Sequence, residues 1–115
     1  MPSVLLVEDH ALMRAMLRTW LLGLAEQVFE CENGTDARAC YAAHHPDWVL
    51  MDIDLPGQDG ITATRELLAQ DPTARVLIVT SYDDVELRSA AAAAGARGYL
   101  LKENLWELRQ WLNPP

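Results

Sequence analysis

One pattern constrains this chain more than any other. Short runs of Val, Leu, Ile and Met alternate with longer stretches whose apolar residues return every three or four positions. Consecutive apolar residues suit a strand covered on both faces, and the three-to-four spacing suits an amphipathic helix. The runs fall at Ser3 to Val7, Trp48 to Met51, Arg75 to Thr80 and Gly98 to Leu101, and a further strand is expected at Gln27 to Cys31. Parallel neighbours require crossover connections, which are almost always right-handed. The sequence therefore predicts an α/β fold: a five-stranded parallel sheet with five helices on both faces. Its 115 residues suit a single domain over 1–115.

The helical segments can be placed in the same way. Leu12, Met16, Leu17, Trp20, Leu21 and Leu24 recur at helical spacing and predict about four turns from Ala11, with Gly23 near the end. A second helix runs from Thr35 to His44 and stops before Pro46. Leu55 to Gly60 carries too much Pro and Gly for regular structure, so it forms a loop before a helix at 61–70. Asp83 followed by Glu86 resembles a capping box opening an Ala-rich helix that Gly95 ends. Asn104 is a candidate cap for a last helix, Leu105 to Leu112. Trp106 and Trp111, five apart, cannot both face the core of so short a helix, which leaves one for an interface.

Composition closes off several function classes. Seventeen acids against nine Lys plus Arg give a net charge of −8, the wrong sign for gripping nucleic-acid phosphates or anionic lipid. Cys31 and Cys40 form no CxxC pair and have no neighbouring Cys/His set, so they read as buried thiols, not as a disulfide or zinc site. No apolar run approaches the roughly 18 residues of a membrane helix. Met1-Pro2-Ser3 lacks the basic start of a signal peptide. A reduced, cytoplasmic setting is expected.

In open parallel sheets the ligand site lies beyond the carboxyl ends of the strands. Those ends carry Glu8 and Asp9 after the first strand, Asp52 and Asp54 after the third, Thr80 closing the fourth and Lys102 after the fifth. Several carboxylates brought together repel one another unless a cation holds them. The donors are hard oxygens, which favours Mg²⁺ or Mn²⁺ over zinc. Lys102 adds a fixed positive charge. A carboxylate ringed by a metal, a lysine and a hydroxyl can act as a nucleophile toward a phosphoryl group, and Asp52, on the central strand, is the candidate acceptor.

Val4 to His10, Met51 to Gly60, Thr80-Ser81 and Gly95 to Lys102, taken in this order and at these spacings, resemble a response regulator receiver domain of two-component signalling. The Gly98 to Glu103 stretch is most similar to receivers of the LuxR/NarL/FixJ type. The resemblance implies a flavodoxin-like sheet in the order 2-1-3-4-5. It implies that Asp52 accepts the phosphoryl group and that Asp9 and the backbone carbonyl of Asp54 bind the metal, with Glu8 in support. By the same resemblance Lys102 and Thr80 hold phosphoryl oxygens, and Thr80 with Tyr99 forms a switch acting on the face made by the fourth helix, fifth strand and fifth helix. Asp54 and Tyr82 stand where the family tunes the lifetime of the phosphoryl group.

The implied partners are a histidine kinase or phosphotransfer protein and, on phosphorylation, a second copy of the chain. No direct contact with nucleic acid or membrane is expected. The domain is expected to catalyse only its own phosphorylation and dephosphorylation, and so to be a signalling element and not an enzyme. Family members of this type carry a helix-turn-helix effector that these residues do not include. The ending Asn113-Pro114-Pro115 fits either a receiver parted from such an effector, which is the expectation, or a free-standing domain. Glu103 stands where many relatives have proline, so a trans bond is expected there. Two other classes share parts of this pattern. Asp52-Ile53-Asp54 resembles the DxD motif of haloacid-dehalogenase phosphatases, but those place it on their first strand and need more chain. A receiver-shaped adaptor working without phosphorylation is the remaining alternative.

Overall fold

Alternate residues of each strand leave the sheet in opposite directions, and in the central strands both sets are largely apolar, whereas the edge strand Gln27–Cys31 exposes Gln27 and Glu30. The computed structural model describes residues 1–113. The strands are β1 (Ser3–Val7), β2 (Gln27–Cys31), β3 (Trp48–Met51), β4 (Val76–Thr80) and β5 (Gly98–Leu101), all parallel, in the order β2-β1-β3-β4-β5. Leu5, Val7, Val49, Met51, Val76 and Ile78 pack beneath α2 (Ala37–His44), α3 (Gly60–Gln70) and α4 (Val85–Ala94). Val4, Leu6, Leu50, Leu77 and Val79 pack beneath α1 (Ala11–Leu21) and α5 (Leu108–Leu112). This is the doubly covered, flavodoxin-like arrangement that the alternation predicts. Each fully buried Leu or Val contributes roughly 1.5–3 kcal/mol by leaving water.

Several boundaries differ from the sequence reading. The first helix has 11 residues, not four turns, because Gly23 takes a left-handed φ of 81° directly after its cap. Its buried stripe is Leu17 and Leu21, continued by Leu24, whereas Leu12, Met16 and Trp20 lie about a residue's rotation away and are exposed. Two apolar stripes share one helix, and periodicity alone does not say which is covered.

At α4 the cap is Asp84, whose side chain accepts from the Leu87 N–H at 2.9 Å, while Asp83 pairs with Arg88. The predicted last helix is a 3-10 segment, Lys102–Glu107, followed by the short α5. Asn104 does not cap it but sits at a kink inside it (φ −121°, ψ 37°). Trp106 is 59% exposed, and Trp111 packs edge-on against Trp48 at 6.4 Å between ring centres.

Cys31 is buried, Cys40 half-buried, and both thiols are free. Every peptide bond among the described residues is trans, including that before Glu103. No described helix is long and apolar enough to cross a membrane.

Candidate functional site

Strand register brings the predicted residues to one edge. Val7 stands opposite Met51, Met51 opposite Ile78, and Thr80 opposite Leu101. Glu8 and Asp52 therefore emerge side by side, Lys102 follows two residues further along the register and reaches back to them, and Thr80 stands at the same edge. The Asp52 N–H donates to the Val7 carbonyl at 3.0 Å, which carries the ladder one step beyond β3. Behind it, α3 begins so close that a Cβ on Gly60 would lie 1.8 Å from the Asp52 carbonyl oxygen. Only glycine fits there.

Glu8, Asp52 and Thr80 are 1%, 5% and 0% exposed. The Lys102 ammonium lies 2.7 Å from Glu8 Oε1 and 3.4 Å from Asp52 Oδ2. Burial pushes the Asp52 carboxyl up to about 6 from its ordinary 3.8, with Glu8 adding to the rise and Lys102 opposing it. Burial alone would lower the Lys102 pKa, but Glu8 and Asp52 outweigh it and hold the ammonium above its ordinary 10.5. Glu8 Oε2 accepts the His10 N–H at 3.1 Å, and Glu8 Oε1 faces only the ammonium. Asp9 Oδ1, also shut off from solvent, has no hydrogen-bond partner. Donor atoms of Glu8, Asp9 and His10 converge within 4.8 Å of one another.

This donor set fits a hard divalent cation: buried carboxylate oxygens outnumber the one ammonium, and one of them is orphaned. The Asp54 side chain accepts the Tyr82 hydroxyl at 3.1 Å, which leaves its main-chain carbonyl as the group the resemblance assigns to the metal. Asp9 lines a neighbouring depression with Glu32, Asn33, Thr35, Asp36, Pro56 and Gly57. The His10 side chain is 76% exposed, and its residue opens α1 without a side-chain cap. Asp52 is reached from solvent through a cleft of about 280 Å³ bordered by His10, Met13, Asp54, Ser81, Tyr82 and Lys102.

The profile of the response regulator receiver domain matches residues 4–113. The chain belongs to the response regulator receiver family. This receiver is 42% identical over 100 residues to the chemotaxis protein CheY of Halobacterium salinarum, spanning 87% of this chain and 83% of that protein. It is 34% identical over 104 residues to the transcriptional regulatory protein DegU of Brevibacillus brevis, covering 88% of this chain but only 44% of DegU. Among solved structures, a LuxR-family two-component response regulator from Aurantimonas sp. SI85-9A1 superposes with a TM-score of 0.85 at 34% identity, covering 95% of this chain and 80% of that one. The likeness to the LuxR/NarL group read from the Gly98 to Glu103 stretch thus recurs in the fold.

Two sets of contacts at the receiver site escaped the sequence. Tyr82 is a hub: its N–H donates to Thr80 Oγ1 at 3.2 Å, its hydroxyl to Asp54, and its carbonyl accepts the Tyr99 hydroxyl. The two predicted switch residues therefore meet through Tyr82, and Arg88 covers the Tyr99 ring at 4.5 Å. The second is Arg14, on α1, whose guanidinium reaches back to the Glu8 carbonyl at 2.8 Å. Helical spacing gives no sign of either contact.

Proposed function

We propose that this receiver accepts a phosphoryl group on Asp52 from a phosphohistidine of a histidine kinase or phosphotransfer protein. One Asp52 carboxylate oxygen attacks phosphorus, the P–N bond breaks, and the imidazole departs. Glu8, Asp9, Asp52 and the Asp54 carbonyl are the residues that would hold Mg²⁺ or Mn²⁺, which neutralises charge on the transferring group when bound. Lys102, already 3.4 Å from Asp52, binds a phosphoryl oxygen. The Thr80 hydroxyl donates to another. That movement breaks the Tyr82 N–H contact and carries Tyr99 with it, shifting the face formed by α4, β5 and the end of the chain around α5. An output partner or a second copy reads that face. The relation to DegU and to LuxR-family regulators supports transcription, through a DNA-binding domain, as the output. Water later cleaves the acyl phosphate, so the domain acts once per signal.

The observation that carries this reading is a buried, cation-flanked Asp52 with its proton affinity raised, opening on a cleft too small for a folded substrate. Acetyl phosphate with Mg²⁺ should retard the protein on a Phos-tag gel, and chelation should abolish the shift. A native protein that never shifts favours the adaptor reading.

The switch has its own test. Beryllofluoride, a stable phosphoryl mimic, should move amide resonances of both the Asp52 cleft and the Val85–Leu101 region in wild type. In Thr80→Ala the cleft shifts should persist while those of Val85–Leu101 fall by more than half. Retention of the full pattern sinks the coupling through Thr80.

A further inference from the structure

The Glu8 carbonyl lies one residue beyond β1, where the ladder has run out of partners. The Val7 carbonyl is taken by the Asp52 N–H at 3.0 Å, and the Glu8 N–H is given to the Cys31 carbonyl at 3.0 Å. The Glu8 carbonyl accepts instead from Arg14 Nη1 at 2.8 Å. That carbonyl belongs to the rigid, planar peptide unit joining Glu8 to Asp9, so its direction sets where the Asp9 chain leaves. The guanidinium is itself anchored at two other corners. Its Nε donates to Glu30 Oε1 at 2.7 Å and its Nη2 to Glu32 Oε1 at 3.2 Å, and the side chain is only 11% exposed. A planar fork meeting three acceptors in three directions is a task for arginine; lysine, a point charge on a flexible stem, cannot reproduce it.

Arg18 provides the comparison on the same helix. It also pairs with Glu30, and it helps hold the Glu30 carboxyl below its ordinary 4.5, but its other contact is the Val28 carbonyl, away from the acids.

We propose that Arg14 is a positioning residue for the metal-binding acids, fixing the Glu8–Asp9 peptide so that the orphaned Asp9 oxygen is held toward the cation. This deepens the proposed phosphoacceptor reading and rests on it. Partners that orient metal ligands are typically worth tenfold or more in affinity.

Mn²⁺ binding, followed directly by electron paramagnetic resonance, tests the proposal. Arg14→Lys should weaken binding about tenfold, and Arg18→Ala should leave it within about twofold. The Mg²⁺ needed for half-maximal labelling by acetyl phosphate should rise in step in Arg14→Lys, while the labelling rate at saturating Mg²⁺ stays near wild type. A general loss of structure would not produce that split. Wild-type affinity in Arg14→Lys, or an equal loss in Arg18→Ala, overturns the proposal.

Should Arg14→Lys prove unfolded by circular dichroism, Glu32→Ala removes one anchor at an exposed residue. At high salt, where its own charge is screened, it should still weaken Mn²⁺ measurably, and no change there overturns the proposal too. Wild-type protein that takes up no Mn²⁺ at millimolar levels removes the phosphoacceptor reading and this inference together. Binding by wild type with an unaffected Arg14→Lys removes this inference alone.

Discussion

Asp52→Asn should be more stable than wild type in EDTA at pH 8, by up to about 3 kcal/mol, and should lose that advantage on acidification. The folded carboxyl titrates at about 6 against an ordinary 3.8, so the fold prefers the protonated acid. Below about pH 4 both folded and unfolded chains hold the proton, and the group contributes no pH dependence. Between about pH 4 and 6 the unfolded chain gives up its proton while the folded one keeps it, so stability falls as pH rises through that window and levels off above it. At about 1.36 kcal/mol per tenfold change in proton affinity, the difference approaches 3 kcal/mol.

Asparagine has no charge to bury and escapes this cost. Urea melts of both proteins across pH 4 to 8 read the effect, and parallel curves would remove the electrostatic account of Asp52. Mg²⁺ at about a hundred times its dissociation constant should return roughly 2.7 kcal/mol to wild type and much less to the variant. The same substitution should also leave no retarded band on a Phos-tag gel.

Lys102→Met should be destabilising by roughly 3–5 kcal/mol at neutral pH, the range for stripping one partner from a buried ion pair. Its ammonium is the one charged group facing Glu8 Oε1, and Glu8 is 1% exposed. Because the Lys102 pKa lies above its ordinary 10.5, the ammonium's contribution is complete at neutral pH and fades only as pH rises through the elevated value. A second change, Glu8→Gln, made on top of Lys102→Met should restore a large part of the loss, since the uncompensated carboxylate is then gone. Chemical denaturation of the single and double variants gives the two midpoints. A Lys102→Met midpoint equal to wild type would show that the acids do not depend on the lysine.

Sequence reasoning reached furthest where one residue type answers to one physical demand. Consecutive apolar runs had to be doubly covered strands, and the acids, threonine and lysine that end them had to share the sheet's carboxyl edge. Both follow from backbone geometry that depends little on side-chain detail. What was illegible depended on three-dimensional choice among equivalents. Leu12 and Met13 are both apolar and adjacent, yet only Met13 packs toward the core, because the rotation of α1 is set by its neighbours. Asp83 and Asp84 are equally good caps, and the backbone selected Asp84. That the Asp54 carboxylate would accept the Tyr82 hydroxyl, 28 residues on, was not legible either. Arg14 reaches the Glu8 carbonyl and Tyr82 offers its own carbonyl to Tyr99, groups that every residue has and that no sequence pattern marks.

Trp48 begins β3, and Trp111 leans on it while Arg75 covers its ring at 4.9 Å. At about 3.3 Å per strand residue, this aromatic pair sits some 13 Å from the acidic edge. Its ultraviolet emission should thus register loss of the native sheet at a distance from Asp52 itself. Because Trp111 stands on α5, part of the face the proposed switch moves, a dye placed at the opposite pole is needed to separate unfolding from the signal.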